Sequence, residues 1–195
     1  MDRDVVVGPQ PVSAESGSQP VFYYDLGSPA SYLVAEQVNT ALLIVPEWEP
    51  VLAPALETVD RDRVERAAEA LALKPMRWPR NWPPDTGEAM LVATYAKRIG
   101  RGVAFSLAAF RQAFAAGQDL GDRDTLLIAA AACEMHPAAV LKGMGLGSVL
   151  DALEQARERA RDAGVSTVPA IEIDGRVYEG ADVLSASTRA IEGRA

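Results

Sequence analysis

Strand-forming segments occur only near the two ends of this chain, and residues 60–163 between them carry a helical pattern throughout. Near the first end, Val21-Phe22-Tyr23-Tyr24-Asp25 is a short apolar and aromatic strand, stopped by Leu26-Gly27. Ser28-Pro29 then opens a helix. Serine suits the N-cap, and proline suits the first helical position because its missing N–H would be unpaired there. The pattern predicts this helix over residues 29–42, burying Tyr32, Leu33, Ala35 and Val38. Trp48-Glu49-Pro50-Val51-Leu52 reads as a second strand, which its proline sends to an edge or to an early end. At the far end, Val168 to Ile173 is strand-like, Asp174-Gly175 is a two-residue hairpin turn, and Arg176-Val177-Tyr178 returns. Gly180-Ala181-Asp182 leads into a last helix over residues 182–191.

The middle predicts helices over residues 60–73, 85–98, 105–116, 123–134 and 148–163, punctuated by Gly100, Gly117 and the Gly143 to Gly147 run. Residues 74–84, with four prolines and two tryptophans, form an irregular loop. The Gly143-Met144-Gly145-Leu146-Gly147 run lacks the Lys-Ser/Thr ending and the preceding strand of a phosphate loop, so it reads as a hinge. Glu154 to Arg161 alternates charge at helical spacing, as a solvated face does. The order β-α-β, helical block, β-β-α predicts an α/β (α+β) protein. A core domain of residues 20–59 and 164–195 is interrupted by a helical insertion subdomain, 60–163, and preceded by a flexible tail, 1–19.

Composition narrows the functional classes. At 195 residues, 49% hydrophobic but only 6% aromatic, the chain suits one well-buried, helix-rich core. Its formal charge of −8 argues against a nucleic-acid surface and against anionic membranes. The single cysteine, Cys133, permits no intramolecular disulfide, and with the single histidine, His136, it cannot make a structural zinc site. No nucleophile-elbow motif surrounds a serine, so a Ser-His-Asp triad is not expected. Cys133 sits in an alanine-rich helix and reads as inert packing, and His136-Pro137 as a helix boundary. The polar first twenty residues read as a flexible tail rather than a signal peptide, no stretch is apolar enough to span a membrane as a helix, and the expected location is cytoplasmic.

The order of elements is that of the thioredoxin fold, and three segments carry a family resemblance. Phe22-Tyr23-Tyr24-Asp25-Leu26-Gly27-Ser28-Pro29-Ala30-Ser31-Tyr32-Leu33 resembles the opening of DsbA-like proteins, where a strand and Asp lead into a Cys-Pro-x-Cys helix start. Serine stands at both cysteine positions, Ser28 and Ser31, a version similar to kappa-class glutathione transferases and 2-hydroxychromene-2-carboxylate isomerases. Gly164-Val165-Ser166-Thr167-Val168-Pro169-Ala170 resembles the loop before the third strand, and Asp174 to Asp182 the family's hairpin followed by Gly-x-Asp. The resemblance covers residues 20 to 191 and implies a thioredoxin fold (β-α-β … β-β-α) with an all-helical insertion between its halves.

The resemblance also implies a chemistry. A helix N-terminus favours an anion, and protein thiols placed there have lowered pKa values. With Ser28 in that place, the protein has no sulfur to offer, and the site can hold a guest thiol instead, glutathione or a related small thiol acting as co-substrate. Ser28 would donate a hydrogen bond to the thiolate. Taken locally, Ser28 is equally an N-cap, and Ser31 a helix-surface or packing residue. The resemblance implies a cis bond at Val168-Pro169 that presents the Val168 backbone to the thiol, against an ordinary trans proline opening a strand. It places Asp182 against the γ-glutamyl ammonium of glutathione, although Asp182 also suits an N-cap. Arg77, Arg80 and Asn81, beside Trp78 and Trp82, either hold a substrate carboxylate or merely pack the insertion onto the core. Ala30 and Ala181 depart from the family's usual aromatic and polar residues. The expected activity is a thiol-dependent isomerase or transferase acting on an unsaturated aromatic substrate, possible as a homodimer and using no metal. The alternatives are a non-catalytic binding protein and, by family label only, a disulfide oxidoreductase.

Overall fold

A computed structural model describes residues 18–53 and 59–193. The proposed tail, residues 1–19, lies outside the described residues except for its last two, and these are tied down. The Ser18 amide and hydroxyl both donate to Asp174 Oδ1 at 3.0 Å, and Gln19 Nε2 donates to the Val45 carbonyl at 3.0 Å.

Strands β1 (Val21–Tyr24), β2 (Glu47–Pro50), β3 (Ala170–Ile173) and β4 (Arg176–Glu179) form one sheet in the order β2-β1-β3-β4. β1 runs parallel to β2 with Tyr23 opposite Glu49, and antiparallel to β3 with Phe22 opposite Ile171. β2 is an edge strand, which tolerates Pro50; pairing continues only as far as the Val51 amide on the Tyr24 carbonyl, 3.0 Å. The β3–β4 hairpin turns on Asp174 and Gly175, both with positive φ (50° and 74°), as a primed two-residue turn requires.

The predicted helix over residues 29–42 is two helices, α1 (Pro29–Ala35) and α2 (Val38–Ala41). Gln37, with φ −120°, breaks the helical path, and its side chain replaces a backbone donor by reaching the Leu33 carbonyl at 2.8 Å. Arg111 holds the break from outside, donating from Nε and Nη2 to the two oxygens of Glu36, each at 2.7 Å. The change of direction still buries Val38 and Leu42.

The helical block supplies α3 (Arg61–Ala70), α4 (Gly87–Arg98), α5 (Gly102–Phe114), α6 (Arg123–Ala131), α7 (Pro137–Met144) and α8 (Gly147–Ala163), before the final α9 (Val183–Glu192). The expected hinge at 143–147 is instead the end of α7 and the start of α8. His136 caps α7, its Nδ1 accepting from the Ala138 amide at 3.2 Å. Gly143 is required by packing: a Cβ there would lie 2.5 Å from the Tyr95 ring of α4.

Period-two alternation divides the core between the sheet's faces. Phe22, Tyr24, Trp48 and Ile171 join α1, α4, α5, α6 and α9 in one continuous apolar cluster, so the helical block shares its core with the sheet. The Tyr24 hydroxyl and Ser106 Oγ of α5 meet at 2.6 Å inside it, which satisfies both buried groups. On the other face Tyr23, Val51 and Ala170 pack against Ala156 and Ala160 of α8. These small alanines let α8 lie close to the sheet. The carboxyl ends of β1 and β2, the start of α1, the end of α8 and the approach to β3 are thereby gathered in one place, the usual location of a crevice in such sheets.

Candidate functional site

Asp25, buried at the end of β1, builds the near wall. Its Oδ1 accepts from the Gly27 amide at 2.8 Å and its Oδ2 from the Ala53 amide at 2.9 Å, and it also bonds the Thr86 side chain. One carboxylate thus fastens the turn into α1 and the exit from β2. Burial pushes the Asp25 carboxyl up from the ordinary range, and the three hydrogen bonds pull against that rise.

Ser28 follows as the N-cap of α1, its backbone amide on the Asp25 carbonyl at 3.0 Å. Its Oγ accepts from the Ser31 amide at 3.1 Å, which leaves the hydroxyl proton to be donated elsewhere. Ser28 is 6% exposed, and its hydroxyl caps the helix while keeping a proton to donate. Ser31 is fully buried, and its hydroxyl has no hydrogen-bond partner among the described residues. It is a packing residue within the core rather than part of the wall.

A cavity of about 470 Å³ opens at Ser28, a size suited to a small organic ligand. Its lining comes from the start of α1 (Pro29, Ala30), the exit of β2 (Val51, Leu52, Ala53) with Val59, the loop of Val165, Ser166, Thr167 and Val168, and Arg157, Ala160 and Arg161 of α8. The structure thus brings Ser28 and the loop before β3 to the same space, as the sequence implied. The Val168–Pro169 peptide at this loop is cis.

Glu179 of β4 sets that loop. Its Oε1 accepts from the Ser166 amide at 2.6 Å and the Thr167 amide at 2.9 Å, while its Oε2 accepts from the Ser166 hydroxyl at 2.6 Å. The carboxylate stands behind the two lining residues, a positioning part that the sequence reading passed over.

Other expected site residues lie elsewhere. Arg80 and Asn81 are exposed and outside the cavity lining, and Asn81 Nδ2 donates to Asp119 at 3.2 Å. Arg77 is exposed too, its backbone amide bound to the Phe114 carbonyl at 2.8 Å. The two tryptophans explain the stretch: Trp78 and Trp82 meet edge to face at 5.3 Å, Trp78 packs on Phe114, and Arg61 lies over both rings. This loop fastens α3 to the core. Asp182 takes the N-cap position of α9 without a side-chain capping bond; it is exposed and does not line the cavity. Cys133 is buried beyond α6, where burial pushes its thiol up, in keeping with an inert side chain.

Arg157 and Arg161, read from the sequence as part of a solvated face, are the residues that reading missed. They lie four apart on α8 and flank Ala160, which is 5% exposed. Their side chains are 57% and 73% exposed, so the face is solvated as its charge pattern reads, and it also borders the cavity.

Residues 21–192 match the DSBA-like thioredoxin domain family. No curated relative matches the chain at significant similarity. Among solved structures, 2-hydroxychromene-2-carboxylate isomerase superposes with a TM-score of 0.78 at 14% identity, covering 90% of this chain and 95% of that one. The cytosolic disulfide reductase DsbM from Pseudomonas aeruginosa with GSH gives a TM-score of 0.65 at 12% identity, covering 91% and 98%. The oxidoreductase DsbA from Xylella fastidiosa gives 0.60 at 14% identity, covering 90% and 82%. At such identities these likenesses speak for the fold, and they agree with the profile match over nearly the whole chain: this protein belongs to the DSBA-like thioredoxin-domain family.

Proposed function

We propose that this chain is a thiol-dependent isomerase or transferase in which Ser28 activates the sulfur of glutathione or a related small thiol. The observation that carries the reading is that Ser28, whose hydroxyl keeps a proton to donate, lines the same ligand-sized cavity as the Val168 loop. Dithiol exchange within the chain is chemically blocked, because the one cysteine is Cys133 and serines occupy positions 28 and 31. A family site that normally supplies a sulfur therefore has room to receive one.

A thiolate adds to an electron-poor C=C bond, forming a C–S bond as the π pair moves onto the conjugated carbonyl; rotation and expulsion of the same thiolate complete an isomerisation without net proton or electron change. Ser28 lowers the cost of holding the sulfur anion by donating its hydroxyl proton to it. The α1 helix is only seven residues long, so the hydroxyl itself, rather than a large helix dipole, carries that task. Val168 offers the backbone edge against which an extended thiol peptide can align. The apolar Val51, Leu52, Val59 and Val165 surround the space left for an aromatic electrophile. Two structural relatives, an isomerase and a disulfide reductase with GSH, are consistent with guests of this kind.

Geometry favours a small thiol in general over glutathione in particular, since Asp182 does not reach the cavity lining to meet a γ-glutamyl ammonium. The test is isomerisation of a cis-configured aromatic enone, followed with and without glutathione. Glutathione-dependent turnover that falls about a hundredfold or more in Ser28→Ala, in line with loss of one oxyanion-type donor, supports the reading. Turnover that is indifferent to Ser28 contradicts it.

A further inference from the structure

The described lining of the cavity carries two arginines in a strongly anionic protein. No Asp or Glu is among the described residues that line it, whereas two arginines are, against a formal charge of −8 for the chain. Those arginines are also poorly paired. Arg157 Nη1 reaches Glu154 at 3.5 Å, and Arg161 Nε reaches Asp162 at 3.6 Å, both outside the 2.7–2.9 Å of a good charge-assisted bond. Three guanidiniums elsewhere find better partners: Arg111 meets Glu36 at 2.7 Å, Arg101 meets Glu134 at 3.0 Å, and Arg159 meets Glu49 at 3.1 Å. Arg157 and Arg161 retain donors for a guest. Spaced four residues apart, they stand on one helix face. Ala160, beside them on the helix, packs against the sheet, and the two arginines share the cavity lining with the apolar Val51, Leu52 and Val165.

We propose that Arg157 and Arg161 form a carboxylate clamp, which makes this cavity selective for a carboxylate-bearing guest with an apolar body. The clamp deepens the thiol reading, and rests on it only in taking this cavity as the working site. With Ser28 on another wall of the same cavity, a guest held by its carboxylate between the arginines is oriented before any chemistry at the sulfur. The carboxylate has two possible owners, the thiol or the second substrate, and the guanidinium fork recognises either.

Isothermal titration of the full chain separates these outcomes. The probes are 3-phenylpropanoate with its neutral counterpart 3-phenylpropanol, and glutathione with its dimethyl ester. The proteins are wild type and the Arg157→Gln/Arg161→Gln double variant, whose side chains are well exposed and whose glutamines keep helix propensity. The clamp predicts that 3-phenylpropanoate binds about tenfold or more tightly than the alcohol, and that the double variant erases this difference. It is overturned if acid and alcohol bind alike, if the variant binds the acid as wild type does, or if no carboxylate probe binds at all. Weaker binding of the dimethyl ester than of glutathione assigns the carboxylate to the thiol; equal binding of the two, with the acid still dependent on the arginines, assigns it to the second substrate. Arginine-dependent binding of the acid without any heat from glutathione keeps the clamp and defeats the thiol reading. Glutathione binding beside an acid that binds no better than its alcohol, or equally well to the double variant, keeps the thiol reading and defeats the clamp.

Discussion

Asp25 shows how one side chain can decide the shape of a site without touching a guest. Its two oxygens accept from Gly27 and Ala53, so the α1 entrance and the β2 exit are held at a fixed separation, and the cavity lies between them. The cost is a carboxyl held above its ordinary range by burial. The folded chain therefore binds the Asp25 proton more tightly than the unfolded chain does. This group's contribution to stability is complete below the ordinary carboxylate pKa of about 3.9 and is lost as pH rises through the higher folded value. Asp25→Asn removes that slope and adds a fixed penalty, because its NH₂ faces a backbone donor. Urea unfolding at several pH values should show wild-type stability, relative to the variant, falling as pH rises. A difference that stays constant with pH would contradict the assignment. Arg157 and Arg161 make the opposite point at the same scale: charges that look idle in a sequence become specific when a cavity opens beside them.

At the scale of elements, close approach explains choices that sequence pattern misreads. Gly143 looks like a breaker, and its run was expected to be a hinge; α7 exists there because the glycine lets the helix meet Tyr95 of α4 without a clash. Gly143→Ala should lower unfolding stability by about 1–3 kcal/mol, the range for overpacking, and a smaller residue at Tyr95 should recover part of the loss. Unchanged stability in the single variant would refute the packing argument. The loop before β3 depends on a partner across the hairpin, since Glu179 accepts from Ser166 twice and from Thr167 once. Glu179→Ala should speed hydrogen exchange at the Ser166 and Thr167 amides, equivalent to about 1–2 kcal/mol of lost local stability. Exchange rates equal to wild type would show that the loop holds itself.

Across the whole molecule, legibility followed the range of the forces involved. The Asp174-Gly175 hairpin, the Ser28-Pro29 helix start and the edge placement of Pro50 rest on local backbone chemistry, and each is where the sequence put it. The helix break at Gln37 was hidden because it depends on Arg111 of α5 and on the direction in which Val38 must be buried. Arg80 and Asn81 drew attention through their neighbours, yet Trp78 and Trp82 serve the packing of α3 and leave those polar side chains in solvent. In sequence the clamp arginines read as a solvated face, because a solvated helix face and a cavity wall share the same charge pattern. Only the return of the chain through residues 165–168 distinguishes the two.

The proposal that a serine hydroxyl receives a foreign sulfur is tested most directly by the ionisation of glutathione bound to the protein, followed through the ultraviolet absorbance of its thiolate. A free thiol of this kind titrates near about 8.5. Bound to the wild-type chain, it should titrate at least about one pH unit lower, and Ser28→Ala should return it toward the free value while Ser28→Thr should not. A bound thiol that titrates as it does in free solution, or a lowered value that survives removal of the Ser28 hydroxyl, would contradict the account.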